Sequence, residues 1–323
     1  MLKTSSSVYI NILKDVGSRK MHRFRFFSLL ISAAWLQTSG MAHALQPFAN
    51  PVGDSTSISH DLVAHDGMGD RAFPESTSQP HPALQEYRLQ QQYIEGVNDA
   101  AVPAPGENVP TLTPITPDNP HLIWNEDYSQ ILVVTWKTLD NYRKYIAPAT
   151  HTSASASHVV WVTVAPEVQE FCQRYLVENP DATREELDLR LKQHLGLHYT
   201  WSYDVFVELW VDPDDLFRPC VDPEITDGQC SLNFDAFSRS EAEDVSLHHV
   251  PYIENYHEFY SNLYARSFRG IPGVPWTGLG YTYDWGSPVT EVGASEFIMV
   301  PNAAYRIHQV RPTLAYCSAP ASL

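Results

Sequence analysis

Basic residues are scarce in this chain. Lysine and arginine number 21 against 38 aspartates and glutamates in 323 residues, a net charge of −17 at pH 7. Such a surface repels phosphate backbones and anionic lipid, so neither nucleic acid nor a membrane surface is expected as a partner. Long apolar runs are missing as well. The stretch from Phe26 to Leu36 is uncharged, but it is about half the length of the roughly twenty residues needed to cross a bilayer core. No later segment is apolar for long enough to be a span. Cysteine is limited to Cys172, Cys220, Cys230 and Cys317, with no C-x-x-C pair and no C-x-x-C-H, which removes the signals of thioredoxin-like chemistry and covalent haem. The spacing supports no Cys-rich zinc site. Also missing are G-x-S-x-G, H-E-x-x-H, G-x-G-x-x-G and a Walker A loop, each of which would have named a common mechanism.

What is present begins with an address. Lys14, Arg19, Lys20, Arg23 and Arg25 precede the run from Phe26 to Leu36, and Ala42-His43-Ala44 follows with small residues at the positions a signal peptidase accepts. Residues 1–44 therefore read as a signal peptide cleaved after Ala44, with Met21 as an alternative start. No cysteine follows the run to carry a lipid. Removing this segment takes away Lys3, Lys14, Arg19, Lys20, Arg23, Arg25 and Asp15, which leaves 15 bases and 37 acids and a net charge of −22. The expected location is the periplasm or the extracellular space. Four cysteines in an oxidising compartment predict two disulfides. Cys220 with Cys230 is the natural pair, because Asp227-Gly228 turns the short loop between them. That leaves Cys172 with Cys317.

Residues 45–120 are rich in Pro, Ser, Asp, His and Gly and read as an extended segment unable to bury enough apolar surface to offset its ordering entropy. Within it, Leu84, Tyr87, Leu89, Tyr93 and Ile94 allow an amphipathic helix over residues 83–97 that could dock on the folded part. The string Gly53-Asp54-Ser55 has the letters of an esterase nucleophile block. It lies in this segment rather than after a buried strand, and Tyr305 stands three residues before His308 where an acid would be required.

Residues 121–323 read as one disulfide-stapled α+β domain with a mixed or antiparallel sheet and about three helices. Ile131 to Trp136, Val159 to Val164 and Tyr203 to Val211 are apolar runs with β-branched residues, the pattern of buried strands. A helix opens near Pro166 and places Val168, Phe171, Cys172, Tyr175 and Leu176 on one stripe. A second starts at Thr183 with Glu186 completing a capping box, and ends at Gly196. The third covers about residues 253–268. The C-terminal part offers Leu279 to Trp285, Glu296 to Val300 and Ala304 to Val310 as an antiparallel meander.

Three constellations could carry chemistry. His248, His249 and His257 stand near Glu254 and Glu258, imidazoles and carboxylates able to act as acid and base or to ligate zinc, though in no specific zinc spacing. Solvated polar residues on a helix face are the competing reading. Asp222, Glu224 and Asp227, with Asp212, Asp214 and Asp215 before them, offer hard oxygens for calcium on a constrained loop. The EF-hand spacing is missing, and surface acids are common in so acidic a chain. No other cofactor is indicated. Tyr281, Tyr283 and Trp285 alternate along a strand after Trp276, a row of rings that could grip a glycan and that could equally pack a core. The Pro-rich arm, the acidity and the lack of a nucleophile together indicate a secreted or periplasmic binding module, with a glycan or another envelope protein as partner. A hydrolase using Glu254, His257 or Glu258 with Arg266 or Arg269 is the alternative, and a purely structural envelope protein the third reading.

Overall fold

Ile131–Lys137 forms β1 because every residue but the last is buried and two faces of the sheet need apolar side chains. On one face Ile131 and Val133 join Val205, Val207 and Leu209. On the other, Leu132, Val134 and Trp136 join Phe206 and Trp210. A strand buried on both faces loses the alternation of a half-exposed one, which is why these runs are continuously apolar. The computed structural model describes residues 82–232, 234, 250–270 and 273–319. The expected signal peptide, residues 1–44, and His248 and His249 lie outside the described residues, which all fall in one compact unit from Pro74 to Leu323.

The remaining elements are α1 (Pro82–Ala100), the short α2 (Leu139–Asn141), β2 (Val160–Val164), α3 (Ala165–Glu178), α4 (Arg184–His194), β3 (Val205–Val211), β4 (Leu216–Phe217), α5 (Tyr256–Arg269), β5 (Tyr281–Tyr283), β6 (Val292–Ser295), β7 (Phe297–Met299), β8 (Tyr305–Pro312) and α6 (Thr313–Ser318). The larger sheet has the order β4-β7-β2-β1-β3-β8, and every neighbouring pair in it is antiparallel. The face of Val133 is covered by Tyr256, Phe259 and Leu263 of α5. The opposite face is covered by Val168 and Cys172 of α3, Leu187 and Leu191 of α4 and Tyr316 of α6. The result is an α+β fold of three layers, with β5 and β6 as a separate two-stranded sheet.

Several elements follow the sequence closely. Thr183 and Glu186 form the capping box of α4, and Gly196 sits just beyond it at φ +65°, a left-handed conformation that a side chain would strain. The disulfides pair Cys172 with Cys317 and Cys220 with Cys230.

Others differ. The described residues hold six α-helices rather than about three, because α2 and α6 are too short to show a helical period and α1 lies upstream of the expected domain. The C-terminal strands do not form a meander: β5 pairs with β6, β7 is inserted between β2 and β4, and β8 closes the far edge on β3. Nor does the folded part begin at residue 121. Helix α1 docks through Tyr93, which is 1% exposed and donates to the Gly273 carbonyl at 2.8 Å. A Cβ at Gly96 would come within 2.9 Å of the Tyr283 ring, so that helix glycine is what allows close approach. After α1 the proline-rich chain lies along the Cys220–Cys230 loop. Leu112 donates to Gly228 and Ile115 to Ile225 at 2.9 and 2.7 Å. Prolines leave fewer backbone donors to satisfy, and the sparse apolar residues between them, Leu112 and Ile115, are buried.

Candidate functional site

Glu254, His257 and Glu258 are all exposed. Asn255 caps α5 by accepting from the Glu258 N–H at 3.0 Å, so Glu254 lies before the helix rather than a turn from His257 along it. His257 meets the Phe234 ring at 4.7 Å, and neither of the two cavities described below is lined by any of the three. The acidic loop is engaged with its own backbone. Asp222 accepts from Glu224 N–H, Glu224 from Asp227 N–H, and Asp227 from Gln229 N–H. Asp227 also accepts from Arg218 at 3.1 Å. Carboxylates used in this way hold a turn together. Among the described residues no group of three metal-ligating side chains is assembled.

The aromatic row is largely covered by the chain itself. Tyr281 is 1% exposed and Trp285 6%. The Tyr281 hydroxyl donates to the Glu107 carbonyl and that of Tyr283 to Asp99, while Trp285 meets Tyr93 edge-to-face at 5.5 Å. Asp284, on the other side of the strand, turns inward. It accepts two bonds from Arg190, at 2.8 and 2.7 Å, and faces His194 Nδ1 at 3.1 Å. Burial pushes the Asp284 carboxyl up, but the bonds from His194 and Arg190 outweigh it and leave it below the usual carboxylate range. The groove beside this row, of about 490 Å³, is walled by Glu95, Asp99 and Glu291, with no basic side chain among the described residues that line it.

The sheet itself provides a different site. Pairing of β1 with β2 covers Val133↔Val164 and Val134↔Thr163. Beyond it β1 continues along β3 as far as Lys137↔Val205, while β2 follows β7 through Val162↔Phe297, Trp161↔Ile298 and Val160↔Met299. The two strands part, and a cavity of about 470 Å³ opens between them, closed by α5, the start of α3, the turn after α4 and the chain from Val274 to Trp276. Trp136, Trp161, Trp201, Tyr203, Trp276 and Tyr283 line it. Its charged side chains are Lys137, Arg266 and Glu296. A volume within the roughly 300–1,000 Å³ of ligand pockets, aromatic walls and a few converging polar groups are the usual features of a small-molecule site.

Two buried polar atoms in this cleft lack a hydrogen bond of normal geometry. Glu296 sits between β6 and β7, is 7% exposed, and its Oε1 finds no hydrogen-bond partner among the described residues; nor does the indole nitrogen of Trp276. Burial raises the Glu296 carboxyl to about 8, with the neighbouring Trp276 indole offsetting only part of that. At neutral pH it is therefore predominantly a neutral acid able to donate. Lys137 keeps part of its surface open, yet the protein around it is dense enough that desolvation holds its ammonium below the usual lysine range. No carboxylate among the described residues pairs with it.

Of the aromatic candidates read from the sequence, Trp276 and Tyr283 line this cleft and Tyr281 and Trp285 do not. Lys137, Glu296, Trp136, Trp161 and Trp201 had no motif to mark them. The available signal was a lysine ending an apolar strand and a glutamate opening another, both common where strands reach solvent. Comparison of the chain with protein families, curated proteins and solved structures gives no match, so its functional reading rests on the cleft.

Proposed function

We propose that this chain is an exported binding protein that holds a small organic ligand in the cleft where β1 and β2 part. The observation that carries the reading is the buried pair Glu296 and Trp276 in the wall of an aromatic-lined cavity, whose Oε1 and Nε1 make no hydrogen bond of normal geometry although the indole lies close enough to act on the carboxyl. Buried polar atoms of this kind cost free energy unless a ligand or water completes them. Export is supported by the segment before Leu45 and by two disulfides. Among the described residues no helix is long and apolar enough to cross a membrane. Binding is favoured over the hydrolase alternative because Glu254, His257 and Glu258 are exposed and line neither this cleft nor the groove beside the aromatic strand.

The test is a thermal-shift screen of chemically varied small organic molecules on the wild type and on Trp201→Ala. Trp201 is 38% exposed at the cleft, so its truncation removes little core packing. Compounds that raise the wild-type Tm are expected to lose most of that effect on Trp201→Ala, whose unliganded Tm stays close to wild type. Equal shifts in both proteins would place the ligand elsewhere and contradict the reading.

A further inference from the structure

We infer that the ligand is a small organic carboxylate with a flat apolar body, its charge met by Lys137 and its rings by the tryptophans of the cleft. This rests on the cleft being the ligand site and names what enters it.

The donor and acceptor balance of the walls points to an acceptor. Lys137 carries only donors, and a protonated Glu296, with the Trp276 indole beside it, supplies an O–H. Thr135 and Ser267 add hydroxyls to the same lining, which can donate or accept. A carboxylate, acceptor-only and able to take several bonds, complements that set. An ammonium ligand would instead add donors to donors.

Charge gives the same sign. The chain as a whole is acidic, at −17, whereas the cleft holds two bases, Lys137 and Arg266, and one acid, Glu296, that burial keeps neutral. Arg266 stands exposed and donates to the carbonyls of Asn262 and Ser157, with no carboxylate pairing with it among the described residues. Lys137 is desolvated with no carboxylate pairing with it among the described residues, an arrangement that favours the ionised amine when an anion arrives. A neutral sugar would leave that ammonium unpaired. The apolar remainder of the ligand is set by the tryptophans of the lining, Trp161 and the half-open Trp201 foremost, since Trp136 is itself stacked on Tyr203 and Phe206 and Trp276 packs on Tyr260.

The test is isothermal titration of the exported protein, disulfides intact, at pH 7 with three probes of one shape: 2-naphthoate, 2-naphthamide and 2-naphthylmethylamine. Naphthoate is expected to bind at least about tenfold tighter than the amide, the factor a charge-assisted hydrogen bond supplies, with the amine weakest. Lys137→Met should bring naphthoate down to the level of the amide. Lys137→Arg should keep the preference, and Lys144→Gln, at an exposed lysine, should leave it unchanged. Equal binding of naphthoate and amide by the wild type, or tighter binding of the amine, overturns the carboxylate inference while leaving the cleft a ligand site. No binding of any probe, with no hit lost on Trp201→Ala in the thermal-shift screen, overturns both. The wild-type series decides the matter even if Lys137→Met fails to fold.

Discussion

Replacing Cys317 with serine is expected to cost about 3–5 kcal/mol of stability, more than any surface change to this protein. Cys317 in α6 is bonded to Cys172 in α3 across a sequence separation of 145 residues. A crosslink restricts the unfolded chain in proportion to the logarithm of the loop that it closes, which makes this the stronger of the two staples. The Cys220–Cys230 bond closes a separation of 10, and the same reasoning gives it about 2.5 kcal/mol. Burial does not separate the two, since Cys172 and Cys317 lie 0% and 1% exposed and Cys220 and Cys230 0% and 2%, so the difference rests on loop length. Urea unfolding of the wild type, Cys317→Ser and Cys230→Ser, each with peptide mapping under non-reducing conditions, measures both losses. A smaller loss for Cys317→Ser than for Cys230→Ser would contradict the assignment of the long loop as the main constraint.

Trp285→Ala is expected to lose about 3–5 kcal/mol, the usual penalty for emptying a large buried aromatic site. The ring is 6% exposed, its indole N–H donates to the Leu197 carbonyl at 3.1 Å, and Tyr93 of α1 meets it edge-to-face. The loss should therefore be accompanied by loosening of α1. Hydrogen exchange across residues 82–100 should speed up well before global unfolding, because Tyr93 loses one of the rings that seat it. A melting temperature near wild type together with lost glycan binding would instead restore the exposed-platform reading of Tyr281, Tyr283 and Trp285. Trp201→Ala is the internal contrast, a tryptophan of the same size whose truncation leaves the melt nearly unmoved.

How far the sequence reaches into this fold depends on the range of the interaction. The strands β1, β2 and β3 and the helices α3 and α4 are legible because their signals are local: β-branched runs, an i, i+3, i+4 stripe from Val168 to Leu176, and the Thr183 capping box. The disulfide pairing follows from a turn and a remainder. Docking of α1 is half legible, since Tyr93 marks an apolar position but nothing near it names Gly273, His198 or Trp285 as its neighbours. The proline-rich chain from 101 to 120 misleads because composition counts apolar residues and not their placement. Leu112 and Ile115 suffice once a disulfide loop offers them backbone partners.

The cleft is the least legible part, for a physical reason. It exists because β1 and β2 each keep one partner and give up the other after Val134↔Thr163, and register between distant strands leaves no trace in either strand alone. Lys137 reads as a strand end reaching solvent, and Glu296 as one acid among 38 acidic residues. Only the packing of β7 beside β2 and of α5 across the gap makes one a desolvated base and the other a neutral acid.

The central claim, that the parting of β1 and β2 is the ligand site, is tested most directly by fluorine NMR of protein labelled with 5-fluorotryptophan. The chain has eight tryptophans: Trp35 lies in the expected signal peptide, Trp136, Trp161, Trp201 and Trp276 line the cleft, and Trp124, Trp210 and Trp285 are not part of its lining. Single Trp→Phe changes assign the resonances. On saturation with the compound that raises the melting temperature most, the four cleft signals are predicted to move together while those of Trp124, Trp210 and Trp285 stay in place. Movement of Trp285 with the cleft signals unmoved would put the ligand at the aromatic strand instead, and would contradict the account.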